Sequence, residues 1–276
     1  MEYRRKTASK IYKHLEDRVN CTNILEFMRT HTSDSRDSRD SRESSELTIE
    51  SISVTSEIIK YTDNDSASSS EVLSKSKLNK IYDRYDFISE ANHTGFEYFP
   101  YLYGVLDCHS GMDSKVYVIY EMFDGTLDTM LSEIEHASDW YETIFQICLI
   151  HHYIINIAKA SYSGATVPHH LYQKYKFAKK RQYTLGEFKF ELYHKNLVVL
   201  WDFQLETPSS NSPPNLKHLL DYITTNGSKF KIQPSPRLIR MLNEIISTPA
   251  DIPKILDSYY NTKKETPLGV PFGKTI

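Results

Sequence analysis

The alternation of apolar and polar side chains predicts strands in the first half of the chain. Residues 47–61 alternate with a period of two, which is typical of a β-strand with one face on a core. Two later strand-like runs, EYFPYLYGVLDC and KVYVIYEMF, are joined by the turn-rich HSGMDS, so we expect an antiparallel hairpin there. Between residue 61 and this hairpin, SEVLSKSKLNKIYDRYDFI has helical spacing, with Ser70 as a candidate N-cap.

The chain after residue 124 has mainly helical periodicity. A short helix is predicted in GTLDTMLSEIE, with one apolar face formed by Leu127, Met130, Leu131 and Ile134. The next segment, WYETIFQICLIHHYIINIAKA, is apolar on most sides, as expected for a helix inside a helical core, and Asp139 can cap it.

Two strands and three amphipathic helices are predicted for the rest of the chain. Residues 183–189 and 196–203 have strand character. The segments NLKHLLDYI, PRLIRMLNEIIS and DIPKILDSYY have helical spacing and are separated by turns that contain Pro and Gly. These patterns together predict an α+β fold, with a β-rich part followed by a helix-rich part.

The first 46 residues are predicted to add a helical region and a polar linker. Apolar residues recur at roughly helical spacing over 1–32. The repeat SDSRDSRDSRESSE, over 33–46, has no apolar residue and cannot cover a core. We therefore expect a disordered linker, with a phosphorylatable or RNA-associated tract as the alternative.

Composition and charge argue against several function classes. The net charge of −3, from 33 Lys and Arg against 36 Asp and Glu, does not suggest a nucleic-acid binder. The basic, aromatic run KYKFAKKRQY is interpreted as a solvated hairpin edge, with a nucleic-acid or phosphate patch as the alternative. The longest apolar stretch contains Gln and paired His, and the first residues lack an apolar signal core, so no membrane segment is expected. With three cysteines in no metal-binding spacing, an intracellular, reducing location is expected.

The order of the predicted elements resembles that of eukaryotic-type protein kinases. VYVIYEMFDGTLDTML is similar to the last N-lobe strand, hinge and first C-lobe helix of that family, and WYETIFQICLIHHYI to the long helix before the catalytic loop. LVVLWDFQLE resembles the strand that leads into the Asp-Phe-Gly turn. The match is closest to the divergent, iridovirus-like kinases of large DNA viruses, with degraded catalytic motifs. It implies a two-lobed fold, with an N-lobe over 47–123 and a mostly helical C-lobe over 124–276, shortened at the activation segment and the C-terminus.

The same resemblance implies a site for ATP and Mg²⁺. In that family an Asp of the catalytic loop deprotonates the substrate hydroxyl, and an Asn five residues later holds Mg²⁺ together with the Asp of Asp-Phe-Gly. When TVPHHLYQKYKFAKK is aligned with this loop, His170 takes the place of the catalytic Asp and Tyr175 that of the Asn. Asp202 remains as the candidate metal ligand, followed by Gln204 in place of Gly. A phenol is a poor ligand for Mg²⁺, and an imidazole differs from a carboxylate in shape.

The N-lobe offers two candidate contacts for the phosphates of a nucleotide. Lys60 can stand for the strand Lys of the kinase family and Glu71 for its helix partner; the alternative is that both are surface charges. No G-x-G-x-x-G precedes residue 60, and the chain has 9 Gly in all. TPSSNSPPN is a short, Pro-rich replacement for the activation segment.

Three functions stay open on these grounds. The first is a pseudokinase that acts as a binding or regulatory scaffold for a protein partner. The second is an active, atypical serine/threonine kinase that transfers phosphate from ATP, with His170 as base and Asp202 as metal ligand. The third is an unrelated structural or interaction protein with the same element order. The replaced catalytic positions favour the first.

Overall fold

The computed structural model describes residues 54–57, 75–110, 113–121, 123–206 and 216–261. The chain forms two compact units, Met1–Met122 and Phe123–Ile276. The predicted helical region at 1–32, the linker at 33–46, Lys60 and Glu71 lie outside the described residues. No helix in the described part of the chain is both long enough and apolar enough to cross a membrane.

The first unit contains a small antiparallel sheet and a helix. The strands are β1 (Val54–Glu57), β2 (Leu102–Ser110) and β3 (Asp113–Glu121), in the order β1-β3-β2, and the helix is α1 (Lys75–His93). β2 and β3 pair antiparallel, which confirms the hairpin predicted from EYFPYLYGVLDC and KVYVIYEMF. The fully buried ring of Phe99 packs edge-on against Phe87 of α1, so an aromatic contact joins the helix to the chain that enters β2.

Two helices open the second unit. They are α2 (Leu127–Glu133) and α3 (Ala137–His152), and a π-helical turn, Tyr153–Ile157, continues α3. The predicted apolar face of α2 is confirmed, because its four members are all buried. The predicted cap is wrong: α3 starts at Ala137, with His136 at the N-cap, and Asp139 lies in its first turn. The Asp139 carboxylate instead forms an ion pair with Lys195, whose Nζ lies 2.9 Å away.

The second unit also contains two small sheets. One contains β4 (Gly125–Thr126), β6 (His170–Leu185) and β7 (Phe188–Leu200), in the order β4-β6-β7. The other pairs β5 (Ser161–Ser163) with β8 (Gln204–Glu206). The predicted bounds 183–189 and 196–203 were wrong, because β6 and β7 form one long hairpin that turns at Gly186, whose φ is +62°. The polar, basic residues of β6 do not alternate regularly with apolar ones, so the sequence does not show the full length of this strand.

Three helices complete the second unit, as the amphipathic segments predict. They are α4 (Leu216–Thr225), α5 (Pro236–Ser247) and α6 (Ile252–Tyr260). The Ser235 hydroxyl caps α5 by accepting a hydrogen bond from the Leu238 N–H at 3.1 Å. The fold is therefore α+β with small antiparallel sheets, in agreement with the predicted class.

Gln146 attaches α3 to the hairpin by covering the outer edge of β7. Its buried side chain accepts a hydrogen bond from Val198 N–H at 3.0 Å and donates one to the Asn196 carbonyl at 3.0 Å. These are the backbone groups that a further strand would use, so the amide side chain satisfies a buried strand edge.

Replacing Gln146 with Leu is expected to lower the free energy of unfolding by about 2–4 kcal/mol. The change keeps the volume similar but leaves two buried backbone groups without partners, and each such loss costs about 1–3 kcal/mol. Urea denaturation measures the effect. Gln182→Leu, on the exposed face of the same hairpin, is the matched control and should change stability by less than about 0.5 kcal/mol. Equal stability of the two variants would contradict this role of Gln146.

Candidate functional site

Strand pairing brings the loop over 164–169 next to the turn over 201–203. The loop connects β5 to β6, and the turn connects β7 to β8. β5 pairs with β8 from Ser163↔Gln204 onward, and β6 pairs with β7 from His170↔Leu200 onward. Loop and turn are therefore held at the same end of both ladders, and the Trp201 N–H donates to the His169 carbonyl at 3.1 Å.

The side chain that faces Asp202 is that of His169. His169 Nε2 lies 3.8 Å from Asp202 Oδ2, and both side chains are about one-third exposed, at 33% and 34%. The other ring nitrogen, Nδ1, is hydrogen-bonded inside the loop, where it contacts the Gly164 carbonyl oxygen and the Thr166 hydroxyl. The ring also lies edge-on to Trp201, with centroids 6.2 Å apart. The loop thus presents an oriented imidazole to the carboxylate.

His170, the residue expected at the catalytic Asp position, has a different environment. It is the first residue of β6, is 6% exposed, and its Nδ1 donates to the Thr166 carbonyl at 3.0 Å. Burial lowers its pKa to about 4, so the ring is neutral at pH 7.

The catalytic loop expected across residues 168–175 is not what forms there. Only Pro168 and His169 belong to the loop, in a single 3₁₀ turn, Val167–His169, and the chain is extended from His170 onward. Tyr175 lies within β6, where its hydroxyl accepts a hydrogen bond from Arg181 at 3.0 Å. The reason is that β6 pairs with β7 from its first residue, and this pairing draws the segment into the sheet.

An aromatic column fixes the turn that carries Asp202. Phe203 is 2% exposed, and its ring meets Tyr162 of β5 edge-on, with centroids 6.0 Å apart. The Tyr162 hydroxyl in turn bonds to Nδ1 of His151, a fully buried residue of α3, at 2.9 Å. Burial, followed by the charge of His152, lowers the His151 pKa to about 4, so this ring is neutral as well. The position of Asp202 therefore follows from packing and hydrogen bonds to α3.

The described residues around Asp202 provide few possible ligands for a metal ion. One carboxylate and one imidazole face each other, and among the described residues no group of three or more His, Cys, Asp and Glu side chains could hold a metal ion. Mg²⁺ requires a near-octahedral set of oxygen ligands. The residues present in the described part of the site thus do not fit the Mg²⁺ that the kinase resemblance implies.

Sequence reasoning missed His169 and Gly164. Both belong to the short loop GATVPH, in which Gly164 has a φ of +76° and Pro168 lies one residue before His169. A signal was available in the sequence, because this Gly and Pro mark a loop that ends before the strand-like HLY. Because His169 and His170 are adjacent, the sequence alone does not show which of the two side chains faces Asp202.

Comparison with known proteins gives one informative match. No protein-family model matches the chain. The chain is 40% identical over 277 residues to "Uncharacterized protein R691" of Acanthamoeba polyphaga mimivirus, and the match covers 93% of this chain and 98% of that protein. At this identity over nearly the full length of both proteins, the chain belongs to the same family as protein R691 of the mimivirus.

Proposed function

We propose that this protein is a kinase-like scaffold that has lost phosphoryl transfer, and that it acts by binding a protein partner. The support comes first from element order. A buried helix, a short strand, a loop, a hairpin, an Asp-Phe turn and a returning strand follow one another in the second unit, in the order that the kinase resemblance implies. The loop over 164–169 faces Asp202, as a catalytic loop would face this Asp in the kinase family, and this supports the proposal.

The observation that carries the proposal is the identity of the residues in this loop. The kinase family has Asp and Asn five residues apart in its catalytic loop, and Gly164 and His169 have that spacing here. Gly164 has no side chain to accept a proton, and His169 supplies an imidazole where the family has an amide oxygen. With Gly164 and His169 at these two positions, as with His170 and Tyr175, the proposal predicts impaired chemistry.

The expected loss of function can be estimated. Removal of a general base typically lowers the rate of a proton-transfer step by about 10²–10⁴-fold. Mg²⁺ binding is expected to be weakened as well, because the imidazole of His169 stands where the family has an oxygen ligand beside the Asp carboxylate. Asp202 remains accessible at the surface of this site, which is why a nucleotide test is decisive.

We expect the protein to show no thermal shift with Mg·ATP, and no transfer of the γ-phosphate to itself or to a generic serine substrate. Mg·ATP is added at about 1 to 10 times a Kd of about 1 mM. At these concentrations a ligand that binds with that Kd raises the stability of the protein measurably. Asp202→Asn should behave like the wild type, and so should Asp221→Asn, an exposed carboxylate of α4 used as the control.

A shift that vanished in Asp202→Asn but persisted in Asp221→Asn would overturn the proposal. It would favour the active, atypical kinase. A third arm uses His169→Asn, which restores the amide of the family. If this variant alone gained a Mg²⁺-dependent shift, the kinase-like register of the loop would be supported directly, whatever the activity of the natural protein.

A further inference from the structure

The hairpin of β6 and β7 concentrates positive charge in a chain that is acidic overall. Residues 170–200 contain seven Lys and Arg against two Glu, a net charge of +5, whereas the whole chain carries −3. Five of the seven lie within eight consecutive residues of β6: Lys174, Lys176, Lys179, Lys180 and Arg181. The hairpin is therefore strongly basic, although the net charge of the whole chain is negative.

An irregularity in the strand pairing exposes this surface. The register shifts between Lys174↔Asn196 and Lys179↔His194, so four residues of β6, 175–178, face the single residue Lys195 of β7. We call residues 174–181 the basic bulge. A bulge turns side chains away from the ladder, and here it exposes every residue from 176 to 180.

Phe177 lies at the centre of the basic bulge and is 75% exposed. It is one of two large apolar side chains on the described surface with such exposure, the other being Ile157. At this exposure the ring buries little apolar surface in the fold. Lys176 Nζ lies 5.8 Å from its centroid. The ring is available to stack on a flat partner.

Cations and aromatic rings alternate around Phe177. Lys179 Nζ lies 3.9 Å from the centre of the Tyr175 ring, and Arg181 donates to the Tyr175 hydroxyl at 3.0 Å. This arrangement orients cationic groups along the strand. Lys174 and Lys180 are paired with Glu133 and Glu191, whereas Lys176 has no ion pair among the described residues.

We propose that the basic bulge binds single-stranded nucleic acid, through phosphate contacts to its cations and stacking of a base on Phe177. Single-strand binders combine a cationic track with aromatic rings that accept bases of any sequence. An anionic membrane would also be attracted by the charge, but stable membrane attachment needs more buried apolar area than one ring supplies. The inference goes beyond the scaffold function and does not depend on Asp202.

The test is fluorescence anisotropy with a labelled 12-nucleotide oligouridine and the full chain, in about 50 mM salt. We expect Phe177→Ala to weaken binding by about tenfold, since loss of one stacked base has effects of this order. Phe177→Tyr keeps the ring and should bind within about twofold of the wild type. Position 177 is exposed, so circular dichroism should report unchanged folding for both variants.

Charge variants provide the matched control. Lys176→Gln with Lys179→Gln should weaken binding and flatten its salt dependence, because each phosphate contact adds about −0.7 to the slope of log K against log salt. Lys217→Gln with Lys254→Gln removes the same charge from exposed positions of α4 and α6 and should leave binding nearly unchanged. Equal losses in the two double variants, an unchanged Phe177→Ala, binding to phosphatidylserine vesicles with no binding to oligouridine, or no binding at all would each overturn the proposal.

Discussion

Acidification from pH 7.5 to 5 is expected to destabilise this protein steeply. His151, His170 and His194 are buried, and burial lowers each pKa to about 4 from an ordinary value of 6.5. Above pH 6.5 these side chains are neutral in both the folded and the unfolded chain. Below pH 6.5 the unfolded chain binds protons that the folded chain does not bind until about pH 4, so stability falls as the pH falls through this window.

One buried carboxyl opposes this effect. Burial, and then the charge of Asp139, raises the pKa of Glu142 to about 7 from 4.5, so between these values the folded chain holds one proton more than the unfolded chain. These three histidines against one glutamate leave a net uptake of about two protons on unfolding, which corresponds to about 2–3 kcal/mol per pH unit. Burial also lowers the pKa of His152, which adds to the effect in the same direction. Small proteins have about 5–15 kcal/mol of stability, so a change of two units is a large fraction of it.

Urea denaturation at pH 7.5, 6.5, 5.5 and 5.0 measures this slope. His151→Gln removes one of the three buried imidazoles and should reduce the slope by about 1.4 kcal/mol per pH unit. His218→Gln, at an exposed position of α4, is the control and should leave the slope unchanged. Stability that stayed constant or rose on acidification would contradict the assignment of neutral, buried histidines.

Replacing Phe203 with Ala is expected to lower the free energy of unfolding by about 3–5 kcal/mol, which is the usual range for loss of a fully buried aromatic side chain. The neighbouring Asp202→Ala should change it by less than about 1 kcal/mol, because that side chain is one-third exposed and lies 3.8 Å from its histidine neighbour. The contrast follows from the structure, in which Tyr162 and Phe203 pack together while the Asp202 side chain is about one-third exposed.

Thermal or urea unfolding of the two variants, measured without and with 5 mM MgCl₂, completes this test. The ordering should be the same in both conditions if packing holds the turn. A cost for Asp202→Ala as large as that for Phe203→Ala would show that the carboxylate organises the turn. A cost that appears only with Mg²⁺ would show that it does so through a metal.

The aromatic contacts that hold the Asp-Phe turn do not involve the Asp202 carboxylate. The Asp-Phe turn is anchored to α3 through Phe203, Tyr162 and His151, and none of these contacts requires a nucleotide. Under the proposed function, the changes at Gly164 and His169 leave these packing contacts in place. A protein partner could then recognise the preserved surface, which is the function we propose.

The elements with strong periodicity were predictable from the sequence. The apolar face of α2 and the three amphipathic helices α4, α5 and α6 were predicted because each buries one regular face. The β2–β3 hairpin was predicted from two strand-like runs on either side of a turn-rich loop. The cap of α3 was not predictable, because Asp139 is a good capping residue that lies within the first turn of the helix and pairs with Lys195 across the fold. Propensity alone does not distinguish these two uses of a carboxylate.

The sequence by itself determined the helices, the β2–β3 hairpin and the presence of an Asp-Phe turn after an apolar strand, because local periodicity and residue type decide these features. The tertiary structure alone decided which loop faces Asp202. Pairing of β5 with β8, more than forty residues apart in the chain, and of β6 with β7 brings His169 to the carboxylate and draws His170 into a strand. Backbone hydrogen bonds between distant segments make that choice, and they leave no periodic signal in a loop of six residues.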